Sequence, residues 1–148
     1  MNTKYIDALI RKHAAAVIPE FDESRWFALE FNHAGSNVFG VLSHLGSVEY
    51  GKYRFLLDIP NRLSYNGDLK VDDEHRGKGL GRKLIELRET ICEELGIQKI
   101  IINNNENSAF WEHLGYKQVN GLQEFYLKVR FGINFQKDKE TPVYKDIN

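Results

Sequence analysis

The sequence predicts an α/β fold, a mixed sheet with helices on both faces, and three observations carry that reading. In KYRFLLDI (52–59), Tyr53, Phe55, Leu57 and Ile59 alternate with Arg54, Leu56 and Asp58, which is the period of a strand. Leu80, Leu84, Leu87, Ile91 and Leu95 recur at spacings of four, three, four and four, which is one face of an amphipathic helix. A short apolar run, KIII (99–102), follows, so strand-like, helical and strand-like segments succeed one another.

In chain order, residues 2–17 read as a helix. Tyr5, Leu9 and Ala16 share its stripe, Ile6 and Ile10 lie beside it, and Pro19 stops it. WFALEF (26–31) and NVFGVL (37–42) read as short strands around a turn at HAGS (33–36). Pro60-Asn61 ends the 52–59 strand. RLSY (62–65) and DLKV (68–71) then flank Asn66-Gly67, which reads either as a tight hairpin turn or as a bulge within one longer strand. The 80–95 helix carries Ile85 and Cys92 beside its stripe and stops at Gly96. After KIII come a polar loop, NNNEN, and a short helix, SAFWEHL, ended by Gly115. YKQV (116–119) and QEFYLKVRF (123–131) read as two strands joined across Asn120, Gly121 and Leu122. From Asn134 onward the chain is charged and expected to be loosely held, giving one domain over 1–133 and a tail over 134–148.

Composition narrows the function. The 148 residues suit one domain with a real core, and 20 basic against 21 acidic residues give no overall pull toward nucleic acid or anionic membrane. No run approaches the roughly 20 apolar residues of a membrane span. Asp7, Arg11 and Lys12 interrupt any secretory stretch near the start, and Cys92 is the single cysteine, so a cytoplasmic protein without disulfides is expected. His13, His33, His44 and His113 show no ligand spacing with one another or with Cys92, so no metal is expected.

The chemistry concentrates in LKVDDEHRGKGLG (69–81), just ahead of the long helix. A helix N-terminus offers unpartnered amides and positive potential, and glycines at 77, 79 and 81 let the backbone approach an anion closely. Arg76, Lys78, Arg82 and Lys83 add charge, which suits a polyvalent anion such as a pyrophosphate. A nucleotide triphosphate loop is excluded, because Gly81 is followed by Arg-Lys-Leu instead of Lys-Ser/Thr. A dinucleotide fingerprint fits poorly: the glycines run Gly-x-Gly-x-Gly, and the strand about 20 residues on leads into asparagines instead of an acid.

Arg-Gly-Lys-Gly-Leu-Gly (76–81), preceded by Leu-x-Val and a short acidic loop, resembles the acyl-CoA pyrophosphate loop of the GNAT acyltransferase superfamily. That loop is Gln/Arg-x-x-Gly-x-Gly/Ala, met here by Arg76, Gly79 and Gly81. NNNENSAFWEHLGYKQV (103–119) is similar to the family's later segment, an asparagine leading to a short helix that ends Phe/Leu-Tyr-x-x-Leu-Gly-Phe. Phe110, Trp111, Leu114, Gly115 and Tyr116 fall on those positions, and Asn104 on the asparagine. The two matches span residues 63–131, whereas residues 1–60 match loosely.

The resemblance implies a GNAT-like, mostly antiparallel sheet with a splayed strand pair, and an N-acyltransferase moving acetyl from acetyl-CoA to a primary amine. It implies that the backbone of Leu69, Lys70 and Val71 holds the pantetheine arm, which favours the bulge at Asn66-Gly67. The pyrophosphate would rest on amides from Arg76 through Gly77, Lys78, Gly79, Leu80 and Gly81 to Arg82, and Asn104, or a neighbour if the loop shifts register, would hydrogen-bond the pantetheine. A backbone N–H near Leu69 would polarise the thioester carbonyl. The family's usual tyrosine acid is Trp111 here, whose indole has no useful acidity. Three outcomes stay open: the thiolate leaves without a protein acid, a hydroxyl such as Tyr116 or Ser108 assists, or turnover is lost and the chain is a silent acyl-CoA-binding module. Asp68 and Tyr65, with Glu49 and Asp58 behind them, are base candidates beside a water relay. Expected partners are acyl-CoA and an amine; no membrane is expected, nor nucleic acid save aminoacyl-tRNA, and the chain is expected as monomer or homodimer.

Overall fold

The computed structural model describes residues 3–17, 26–33, 36–45, 48–71, 77, 79–102, 108–135 and 142–147. Helix α1 (Thr3–Val17) precedes four strands, β1 (Trp26–His33), β2 (Ser36–Leu45), β3 (Val48–Asp58) and β4 (Leu63–Val71). Helix α2 (Leu80–Glu94) then leads to β5 (Lys99–Ile102), α3 (Ser108–His113), β6 (Lys117–Gln118), α4 (Gly121–Phe131) and β7 (Val143–Asp146). The sheet runs β1-β2-β3-β4-β5-β7-β6. Every pairing is antiparallel except β4 with β5, which the α2 crossover joins in parallel. The expected mixed, mostly antiparallel sheet is the one observed.

Helices cover both faces, as expected. On one face α1 buries Ile6, Leu9, Ile10 and Ala14 against α2, whose Leu84, Leu87 and Ile91 meet Tyr53, Phe55 and Leu57 of β3. The α1 stripe differs from the expected one: Tyr5 is half exposed and Ala16 lies outside, because Ile6, Leu9, Ile10 and Ala14 form the tighter i, i+3, i+4 row. His13 and Lys12 of α1 pair with Glu94 at the far end of α2, and the His13 hydrogen bond holds that carboxyl below its usual range. On the other face Leu127 of α4 packs with Leu63, Ile101, Val119, Ile133 and Tyr144.

Two expectations are overturned here. Residues 123–131 form a helix, not a strand: Asn120 accepts the Gln123 N–H at 2.9 Å as N-cap, and Gly132 closes the other end at φ 70°. Phe125, Leu127, Val129 and Phe131 alternate as a strand would, but end caps and charged termini (Glu124 first, Lys128 and Arg130 last) override that pattern. The tail is not loose throughout either. Val143–Asp146 inserts between β5 and β6, burying Val143 and Tyr144, so β6 pairs with β7 instead of with a 123–131 strand.

Candidate functional site

The site is built on an irregularity in β4. Tyr65 pairs with Leu56 and Asp68 with Arg54, so Asn66 and Gly67 together face the single residue Phe55. Asn66 supplies the left-handed turn this needs, at φ 66°. Of the two sequence readings, bulge and hairpin, the bulge is therefore the observed one. The extra residue inverts the side-chain alternation: Leu63 and Tyr65 face the α4 side, whereas Leu69 and Val71 pack on the α2 side. Gly67 is tightly enclosed, since a Cβ there would stand 3.1 Å from Ile102 Cδ1 and 3.4 Å from both Arg88 Nη1 and Tyr53 Oη.

Arg88 is the residue the sequence reading missed. It is fully buried beneath the bulge, donating from Nη1 to Tyr53 Oη at 2.7 Å and from Nη2 and Nε to Ser64 Oγ at 2.8 and 3.2 Å. Ser64 donates in turn to the Leu56 carbonyl at 2.7 Å, and the guanidinium lies over the Phe55 ring at 4.9 Å. Among the described residues no carboxylate pairs with it. Burial raises the Tyr53 phenol above its ordinary value against the pull of Arg88, so the hydroxyl stays protonated. Burial likewise pushes the Cys92 thiol up to about 11, which makes it an inert core side chain. The available signal was Arg88 standing four residues from both Leu84 and Cys92, on the buried face of α2.

Past the bulge, β4 leaves its parallel neighbour. Among the described residues β4 and β5 pair only through Leu63, Ser64 and Tyr65, while β4 continues to Val71. This is the expected splayed pair. The departing end meets the start of α2, because a Cβ at Gly81 would stand 3.6 Å from Leu69 Cδ2 and 3.7 Å from Val71 Cγ2. Such distances are ordinary contact, so space alone does not demand glycine at 81. Gly77 and Gly79 differ: both are left-handed, at φ 77° and 81°, with nothing within 4 Å of a Cβ position. Gly79 caps α2 without any side-chain hydrogen bond, and its carbonyl accepts the Lys83 N–H at 3.0 Å. The amides of Leu80, Gly81 and Arg82 therefore lie in the first turn, which lacks intrahelical acceptors and carries the positive end of the helix dipole. An open cup of bare backbone, with Arg82 exposed at its rim, suits a diphosphate.

Helix α3 brings Trp111 and Tyr116 into edge-on contact, with ring centroids 5.1 Å apart and both side chains buried. Tyr116 donates its hydroxyl proton to Glu89 Oε1 at 3.1 Å, and the same oxygen accepts from Lys145 Nζ at 2.9 Å. Burial first, reinforced by Glu89, raises the Tyr116 pKa well above its ordinary value. Tyr65 is half-buried among the α4-side core. The backbone positions of Leu69, Lys70 and Val71 all lie on the departing end of β4. Arg76, Lys78 and Asn104 fall outside the described residues, as do the side chains of Asp68 and Ser108. Among the described residues no three His, Cys, Asp or Glu side chains converge as a metal group, and no helix is long and apolar enough to cross a membrane.

Comparison with known proteins adds to this geometry. A family profile described as "Acetyltransferase (GNAT) domain" matches residues 23–118. The chain is 34% identical over 77 residues to a glucosamine 6-phosphate N-acetyltransferase of Arabidopsis thaliana, covering 51% of this chain and 50% of that protein. It thus spans about half the length of that curated relative. Its fold matches a Staphylococcus aureus Mu50 acetyltransferase of the GNAT family, with a TM-score of 0.59 at 16% identity, over 100% of this chain and 96% of the other. It also matches N-acetylglutamate synthase of Neisseria gonorrhoeae complexed with coenzyme A and N-acetyl-glutamate, with a TM-score of 0.54 at 12% identity, over 99% of this chain and 33% of that one.

Proposed function

The chain belongs to the GNAT acetyltransferase family, and from that premise we propose that it moves an acetyl group from acetyl-CoA to a primary amine by direct attack. The observation that carries this reading is the meeting of the β4 end, beyond its last described β5 pairing, with the mouth of α2, which no side chain caps. In the proposed arrangement the pyrophosphate lies against the amides from Arg76 to Arg82. The backbone of Leu69, Lys70 and Val71 takes the pantetheine as an added strand, with Asn104 hydrogen-bonding it from the far side and Trp111 lining it.

Attack requires a neutral amine. Asp68 or Tyr65 on β4, directly or through water, takes the proton from the ammonium. A backbone N–H near Leu69 polarises the carbonyl as negative charge develops on its oxygen. The C–S bond then breaks, the thiolate departs, and it takes its proton from solvent. Trp111 has no acidic group, and the Tyr116 hydroxyl is already donated to Glu89 in the core, so we assign neither residue the role of acid.

A release assay for free CoA thiol, run against a panel of amines, tests this. Glucosamine 6-phosphate belongs first in that panel because of the similar plant protein. Acetyl-CoA-dependent thiol release with at least one amine is expected. The buried, committed Tyr116 and the Trp111 substitution favour one second reading, a silent acyl-CoA-binding module. Tight CoA binding with no thiol release above background would establish that reading and reject turnover.

A further inference from the structure

Helix α4 has two apolar faces, and the fold uses one. Leu127 is fully buried against the sheet, yet Leu122, Phe125, Tyr126 and Val129 are 79%, 66%, 50% and 69% exposed. Their spacing is i, i+3, i+4 and i+7, which makes one continuous stripe along the outer side of the helix. A buried aromatic side chain covers about 150–250 Å², so the stripe offers on the order of 400–500 Å², the upper range for a lone monomer. Beside it, a cleft of about 280 Å³ opens between Arg62, Leu63, Lys99, Tyr126, Phe131 and Asp146. The patch therefore carries both projecting rings and a recess.

We propose that this stripe is a dimer surface on which a second copy of the chain lays its own α4 antiparallel, about a two-fold axis passing between Phe125 and Tyr126. In that register Leu122 meets the partner's Val129, and Phe125 meets the partner's Tyr126 at the mouth of the partner's recess. The patch is thus complementary to itself, as a two-fold interface requires. Antiparallel packing also opposes the two helix dipoles and sets the acidic first turn, with Glu124, near the partner's basic last turn, with Lys128 and Arg130. Two such patches together bury on the order of 1,000 Å², the lower bound for a specific interface.

The test uses the full chain, independently of any acetyl transfer. Sedimentation velocity from about 1 to 100 µM, the range in which so small an interface exchanges, is expected to show twice the chain mass at the upper end. Val129→Asp, at an exposed position, is expected to keep the wild-type circular dichroism and to sediment as a monomer throughout. The buried Cys92 thiol leaves an introduced cysteine as the reactive one. Phe125→Cys, next to the axis, is expected to form a covalent dimer under mild oxidation, and Leu122→Cys, far from its own symmetry mate, is not. A wild type that stays monomeric, a Val129→Asp protein that stays dimeric, or Leu122→Cys linking as fast as Phe125→Cys would each overturn the proposal.

Discussion

At the scale of single residues, the left-handed Gly79 and the enclosed Gly67 are constrained for opposite reasons. Gly79 has open space but a backbone that L-residues resist, at about 1–2 kcal/mol. Gly79→Ala and Gly79→Glu share that strain, so their difference isolates charge. Calorimetry with CoA is expected to show binding retained, though weakened, in the alanine variant and abolished in the glutamate variant, whose carboxylate occupies the phosphate seat. Equal affinities would contradict the anion cup. Gly67 lies outside the left-handed region but has little room, and beneath it Arg88 ties β3, β4 and α2 together through Tyr53 and Ser64. Arg88→Ala empties a fully buried site and strands the Tyr53 hydroxyl, so denaturant unfolding is expected to show a loss of about 3–5 kcal/mol. A loss below about 1 kcal/mol would mean the network is incidental to the bulge.

At the scale of elements, legibility tracked how much of the signal was local. The 80–94 helix, the β3 alternation and the glycine run before α2 each announce themselves within a dozen residues. Helix α4 did not, because apolar residues at 122, 125, 126, 127, 129 and 131 satisfy either period, and the deciding groups were its caps. The Asn120 cap is itself testable: Asn120→Ala removes the acceptor for the Gln123 N–H, and a loss of about 1 kcal/mol in chemical denaturation is expected. A loss confined to near zero would show that the sheet contacts of Leu127 alone hold the helix. The bulge lies between these cases. Asn66-Gly67 marked the place, but the choice between turn and bulge depends on pairing with β3, which adjacent residues do not encode.

For the whole molecule, the features hidden from a local reading were those the sheet order creates. Arg88 shares the buried face of α2 with Leu84 and Cys92, but its partners appear only when β3 and β4 close over it, and four residues of β7 acquire meaning only from the gap between β5 and β6. The same holds for the α1–α2 contact through Glu94. Its folded pKa lies below the ordinary glutamate value that holds in the unfolded chain. The associated stability is therefore present above that value and is lost as pH falls through the folded one. Unfolding of wild type and Glu94→Gln is expected to differ near neutral pH and to converge in acid. A gap that widens toward low pH would refute the linkage. The late arrival of β7 has a consequence for biosynthesis. About 40 residues separate it from β5, so β5 leaves the ribosome well before β7 does, and its edge stands naked in between. Such an edge invites mispairing between neighbouring chains on one messenger, and a chaperone's protection matters most in that interval.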